Sequence, residues 1–191
     1  MITDRDKRVL MLLTELRYMT TKQIQDTSFP NVNPSISYKR LDHLIKCKLI
    51  KRKYFNIDTK KNVYVYYLDK PPTKKGLKHE LLLSEFVTEL IRQGNEILEI
   101  EKAQFYKGII PDGVIKFKKK DGTIKHIFVE VQLSKHDCIS KYHNINPNGN
   151  KEIPNQLWVI TDKPQEEHKI RNLRIIVDDI RLTKLQRYYT Y

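Results

Sequence analysis

The sequence predicts an α+β protein built in two parts. Helical spacing of apolar residues runs to Cys47, and β-branched and aromatic runs follow it. A Pro-Pro-Gly break over residues 71–76 then precedes a second round of structure, one long amphipathic helix and a series of strands.

In the first part, Thr3 is placed to cap a helix carrying Val9, Leu10, Leu12, Leu13 and Leu16. Arg17-Tyr18-Met19 breaks that pattern. Thr20-Thr21-Lys22-Gln23 fits a capping box for a short second helix anchored by Ile24 and ending before Pro30. Asn33-Pro34 is a start signal for a third helix, because Asn is a favoured cap and Pro at the first helical position lacks only an N–H that has no helical partner. In SISYKRLDHLIKC, Leu41, Leu44, Ile45 and Tyr38 read as the inner face. Ser35, Lys39, Asp42, His43 and Lys46 read as the outer face, with Ser37 and Arg40 at its edges. KLIKRKYFNI and NVYVYYL around Asp58-Thr59-Lys60-Lys61 read as a hairpin.

Helices followed by a hairpin, over residues 1–70, give a winged helix-turn-helix. Its third helix is expected in the major groove, with Ser35, Ser37, Lys39, Arg40 and His43 nearest the bases and Lys46 on the same outer face. Lys60 and Lys61 at the hairpin tip, and Thr21 and Lys22 at the second helix start, are expected to meet phosphate. A winged helix that binds protein instead, or a solvated helical bundle, is the alternative.

Charge separates the two parts. Met1–Lys75 carries 17 basic and 7 acidic residues, while the remainder carries 19 and 16. A strongly basic unit before a nearly balanced one points to a polyanionic partner for the first. No apolar run approaches the ~20 residues that span a bilayer, so no membrane partner is expected. MITDRDKRVLMLL interleaves acids with bases and does not read as a signal peptide. Cys47 and Cys138 lack CxxC spacing, which favours a reducing cytoplasm over a disulfide framework.

Residues 71–76 read as a linker and 77–191 as an α/β domain. Leu77–Gln93 is a strong amphipathic helix with Gly94 at its C-terminal position. Strands follow at Glu96–Ile100, after Asp112, around Glu130, at Gln156–Thr161 and at Leu173–Val177, with helical stretches expected over Ser134–Asn144 and Glu166–Arg171. Alternation puts Phe128, Glu130 and Gln132 on one face of their strand. With Pro111-Asp112 before one long strand and Glu130-Val131-Gln132 inside the next, this order resembles the PD-(D/E)xK nuclease core.

That resemblance implies Mg²⁺ held by Asp112 and Glu130, with the Val131 carbonyl and Glu80 as further oxygen donors. It also implies a lysine that steers the attacking water. Here Gln132 stands in the lysine position and carries no positive charge, leaving Lys135 or, less directly, Lys141 to supply it. Asp112, Glu130, Gln132 and Lys135 are thus the candidate catalytic set. The plainer alternative is that Asp112 is a turn residue and Glu130 a solvent-facing or lysine-paired strand residue. The remaining histidines show no HxxxH or HxH spacing.

The whole run (the N-terminal helices and hairpin, KHELLLSEF, IIPDGVIKF, FVEVQ and SKYHN) resembles the replication-relaxation proteins of plasmids, conjugative elements and phages. The matching positions are His79, Pro111-Asp112, Glu130 and Lys141-Tyr142. The resemblance implies a role in plasmid replication, mobilisation or regulation. The expectation is a cytoplasmic, sequence-specific double-stranded DNA-binding protein, with homodimerisation on a palindromic site as one arrangement. A Mg²⁺-dependent endonuclease and an adaptor that recruits a relaxase or replication initiator are the alternatives.

Overall fold

The computed structural model describes residues 1–58, 61–103, 105–106, 108–134, 137–147, 153–163, 169–170 and 172–188. They form a mixed α+β structure in two compact units, Met1–Thr88 and Glu89–Tyr191. Among the described residues no helix is long and apolar enough to cross a membrane.

The first unit opens with α1 (Asp4–Leu16). The Thr3 hydroxyl accepts the Asp6 N–H at 3.3 Å, and the Asp6 carboxylate accepts the Thr3 N–H at 2.6 Å, closing a capping box. Val9, Leu12, Leu13 and Leu16 face inward. After the short β1 (Met19–Thr20) comes α2 (Thr21–Ser28), started by the expected Thr20/Gln23 box. In it the Gln23 side chain accepts the Thr20 N–H at 2.8 Å. Asn33 caps α3 (Pro34–Lys46) by accepting the Ser35 N–H at 2.9 Å. β2 (Lys51–Asp58) and β3 (Lys61–Tyr67) form the hairpin, and β1 adds to it in the antiparallel order β1-β3-β2.

The break at residues 71–76 is not where the units divide. α4 (Lys74–Arg92) is interrupted at Lys75 and Gly76, where Gly76 takes φ 84°, and runs regularly from there. Its first turns belong to the N-terminal unit, because Leu77 and Leu81 pack with Val65 beside Tyr18, Phe55 and Val63. The Gln23 amide donates to the Leu81 carbonyl at 3.0 Å and to Glu85 at 2.9 Å, and the Ser84 hydroxyl donates to the Tyr18 carbonyl at 2.7 Å. An amphipathic helix that the sequence assigns wholly to the second part thus completes the core of the first.

In the second unit, β4 (Glu96–Lys102), β5 (Gly113–Lys118) and β6 (Ile124–Gln132) pair antiparallel. β7 (Gln156–Thr161) and β9 (Leu173–Asp179) continue parallel to β6, and β8 (Lys169–Ile170) closes the order β4-β5-β6-β7-β9-β8. The central strands read as continuous apolar runs because both of their faces are covered. On one face Val114, Phe128, Leu157, Ile175 and the row Val159–Val177 form a core with Tyr142. On the other, Trp158 meets Tyr188 of α5 (Leu185–Tyr188) edge to face at 5.3 Å. Of the helix expected over Ser134–Asn144, the described residues show only a 3-10 turn at Ser140–Tyr142, and residues 135 and 136 lie outside them. Of the helix expected over Glu166–Arg171, Lys169–Ile170 is instead strand, and the other positions lie outside the described residues.

Candidate functional site

Two places gather the candidate residues, one in each unit. In the first, α3 buries Ser37, Leu41 and Leu44. Ser35, Lys39, His43 and Lys46 are exposed on its opposite side, as the helical period requires. Among the described residues Lys39 and Lys46 have no ion-pair partner. The Ser35 hydroxyl donates to Asn33 at 2.9 Å, and His43 lies 3.6 Å from the Cys47 sulfur. Ile36 is exposed on this helix too, 57% accessible, an apolar group that the charge pattern does not mark.

Several expected contacts are corrected by burial. Ser37 is 0% exposed and its hydroxyl donates to the Pro34 carbonyl at 2.8 Å, so it cannot reach a base. Thr21 is buried within the unit and is not available to a phosphate. Tyr38, expected inside, is 46% exposed. Arg40 turns inward: its Nε donates to Asp6 at 2.8 Å, Nη2 forms a second short bond to the same carboxylate, and Nη2 reaches the Met1 carbonyl at 3.0 Å. Asp6 is fully buried, so Arg40 holds the fold and is not a free reader of bases. Lys22 is exposed but paired with Asp26 at 2.9 Å. Lys60 lies outside the described residues, and of Lys61 only the backbone is described.

In the second unit, the β5–β6 hairpin brings Asp112 and Glu130 together. Asp112 sits one residue before β5 begins, where that strand leaves β6. Its carboxylate accepts the Val131 N–H at 2.8 Å and so replaces the backbone partner that β5 no longer supplies. Glu130 is 3% exposed on the same face as Phe128 and Gln132, in the row that continues as Val159 and Val177. Its Oε1 accepts the Tyr142 hydroxyl at 2.5 Å and the Lys141 ammonium at 2.8 Å. Lys141 also donates to the Ile110 carbonyl at 2.7 Å, which fixes its head over the site. Gln132 is buried and accepts the Cys138 thiol at 3.1 Å.

Burial pushes the Glu130 carboxyl up, from 4.5 to about 7, and the neighbouring Asp112 charge adds to the rise; Lys141 and Tyr142 oppose it. Burial likewise raises the Cys138 thiol to about 12, so it is not a nucleophile. Among the described residues, the lysine that stands on Glu130 is Lys141, on the 3-10 turn. Lys135 lies outside the described residues. Glu80 belongs to the N-terminal unit, where its charge acts on Tyr18. Among the described residues no group of three or more His, Cys, Asp or Glu side chains is placed to hold a metal ion. The candidate donor set is thus Asp112 and Glu130, a number of carboxylates that suits Mg²⁺ with its retained waters.

Comparison with protein-family models, curated proteins and solved structures finds no match for this chain.

The raised Glu130 carboxyl has a measurable consequence. Its ionisation is disfavoured in the folded state, so its contribution to stability is full below about pH 4.5 and is lost as pH rises through about 7. Glu130→Gln removes that loss, which linkage places on the order of 3 kcal/mol. Urea denaturation across this range should show a smaller decline for the variant than for the wild type. Parallel declines would contradict the assignment.

Proposed function

We propose that the N-terminal unit is a winged helix-turn-helix that binds double-stranded DNA through the exposed side of α3. The observation that carries this reading is the pairing pattern on that helix. Lys39 and Lys46 project with no acidic partner among the described residues, beside exposed Ser35, Ile36 and His43. The acid of the same helix, Asp42, is taken by Arg52 at 2.7 Å. A free cationic face with short polar and apolar groups between its charges is what phosphate contact plus base-edge contact requires. The basic excess of Met1–Lys75 supports it at longer range. The resemblance to replication-relaxation proteins supports a cytoplasmic role in replication, mobilisation or transcriptional regulation of a mobile element.

Binding of a mixed-sequence duplex, followed over a salt series, tests this. Lys39→Ala combined with Lys46→Ala should reduce the salt slope by about 2, since each phosphate contact contributes about 0.9. Both side chains are exposed, so the thermal transition should not move. An unchanged slope would remove α3 from the interface.

One observation favours a second reading, a Mg²⁺-dependent nuclease in the C-terminal unit. The Lys141 ammonium stands on Glu130 beside Asp112 and so supplies the positive charge that Gln132 lacks. In that reading Asp112 and Glu130 would hold the ion, which would supply Lewis-acid chemistry at phosphate and water. Lys141 would add positive charge beside them. Supercoiled plasmid with Mg²⁺ or Mn²⁺ should be nicked by the wild type and not by Asp112→Ala, with Lys141→Ala reduced by about a hundredfold or more. Cleavage that survives Asp112→Ala would end this reading.

A further inference from the structure

The hairpin carries aromatic surface that the fold does not use. Strands β2 and β3 pair Arg52 with Tyr66, Tyr54 with Tyr64, and Asn56 with Asn62, and directly opposed residues share a face. The opposite face, with Phe55 and Val63, is covered by Leu77 and Leu81. On the Tyr54/Tyr64 face, Tyr66 is fully buried, but Tyr54 is 55% and Tyr64 40% exposed. Their rings lie 5.0 Å apart, and the Arg52 guanidinium sits 4.7 Å above the Tyr64 ring. Arg52 is held there by its 2.7 Å ion pair with Asp42 of α3. The surface is therefore prearranged: a fixed planar cation, two phenol rings and exposed amides at the next pair.

We propose that this face is a stacking platform for unpaired bases, so that the unit's substrate is duplex DNA adjoining an opened or single-stranded segment. The proposal rests on the DNA-binding reading above and names the form of DNA it takes. Charge selects the occupant. Residues 46–67 contain seven basic residues and one acidic residue. A second copy presenting the same face would be repelled, whereas a nucleic-acid strand is attracted. Aromatic rings with an adjacent guanidinium accept the π-face of any base. Bases inside an intact duplex are already stacked on their neighbours, so those that reach Tyr54 and Tyr64 must be unpaired.

The test uses the full chain with two mixed-sequence duplexes, identical except that one contains a short central bubble carrying a fluorescent aminopurine. Wild type should bind the bubble about tenfold or more tighter than the paired duplex and quench the aminopurine. Tyr54→Val with Tyr64→Val keeps strand propensity and removes the rings. It should lose the preference and the quenching while its affinity for the paired duplex stays within about twofold. Tyr54→Phe with Tyr64→Phe should retain both. A wild type without preference, a valine variant that keeps it, or equal weakening on both duplexes would overturn the platform but not the DNA-binding reading. Self-association that depends on the two tyrosines would assign the face to a second copy and overturn it as well. Failure to bind either duplex at low salt would overturn the DNA-binding reading along with it.

Discussion

The buried Asp6 carboxylate is the constraint on which the N-terminal unit depends. It sits in the first turn of α1, closes the capping box with Thr3, and receives the Arg40 guanidinium from α3. A carboxylate with no solvent access is costly unless its oxygens are bonded. The Arg40 guanidinium is the first cause holding this carboxyl well below the usual carboxylate range. Its stabilising effect is thus complete above the ordinary carboxylate pKa and is lost only in strong acid. The pair joins α1 to α3. With Ser37, Leu41 and Leu44 buried and Arg40 bonded to Asp6, Lys39, His43 and Lys46 are presented outward.

The second unit answers the same physical problem differently. Glu130 is also buried, and burial is the largest influence on its carboxyl; a second carboxylate lies beside it, and its cation, Lys141, also serves the Ile110 carbonyl. Burial and the like charge together outweigh Lys141 and Tyr142, and Glu130 is pushed up where Asp6 is held down. Asp6 is consequently an inert structural charge. Glu130 sits where a bound cation would relieve real repulsion, which is the physical basis for naming it as a site at all. Asp112 has a structural task alongside this, since it bonds the Val131 N–H that β5 leaves behind.

What the sequence discloses follows the range of each interaction. The caps at Thr3, Thr20 and Asn33 are legible because their hydrogen bonds close within three residues. The Asp112/Glu130 pairing is legible because a short turn fixes the hairpin register. The Asp6–Arg40 pair joins residues 34 positions apart, and nothing local marks it. Arg40 therefore reads as a DNA contact although it is a brace. Tyr38 lies at the edge of the apolar arc and is left exposed, whereas Ser37, four residues before Leu41 and seven before Leu44, lies within the arc, where its polar side chain hides the position. Lys141 is hidden for another reason. It comes from a 3-10 turn in a segment that helical periodicity reads as a longer helix, so spacing alone cannot aim its side chain. The end of the first unit is missed because the amphipathic pattern of α4 runs without a break from Leu77 to Arg92, while Leu77 and Leu81 in its first turns cover the hairpin.

The most direct measurement is a heteronuclear NMR titration of the isotope-labelled full chain with a DNA duplex, following backbone amides and arginine Nε–H groups together. The expected result is that the largest shifts fall at Ser35, Lys39, His43 and Lys46. The Arg40 Nε–H should exchange slowly and stay in place, bonded to Asp6 with and without DNA. Shifts centred away from α3, or release of the Arg40 Nε–H on binding, would contradict the division between a bracing Arg40 and a DNA-facing Lys39.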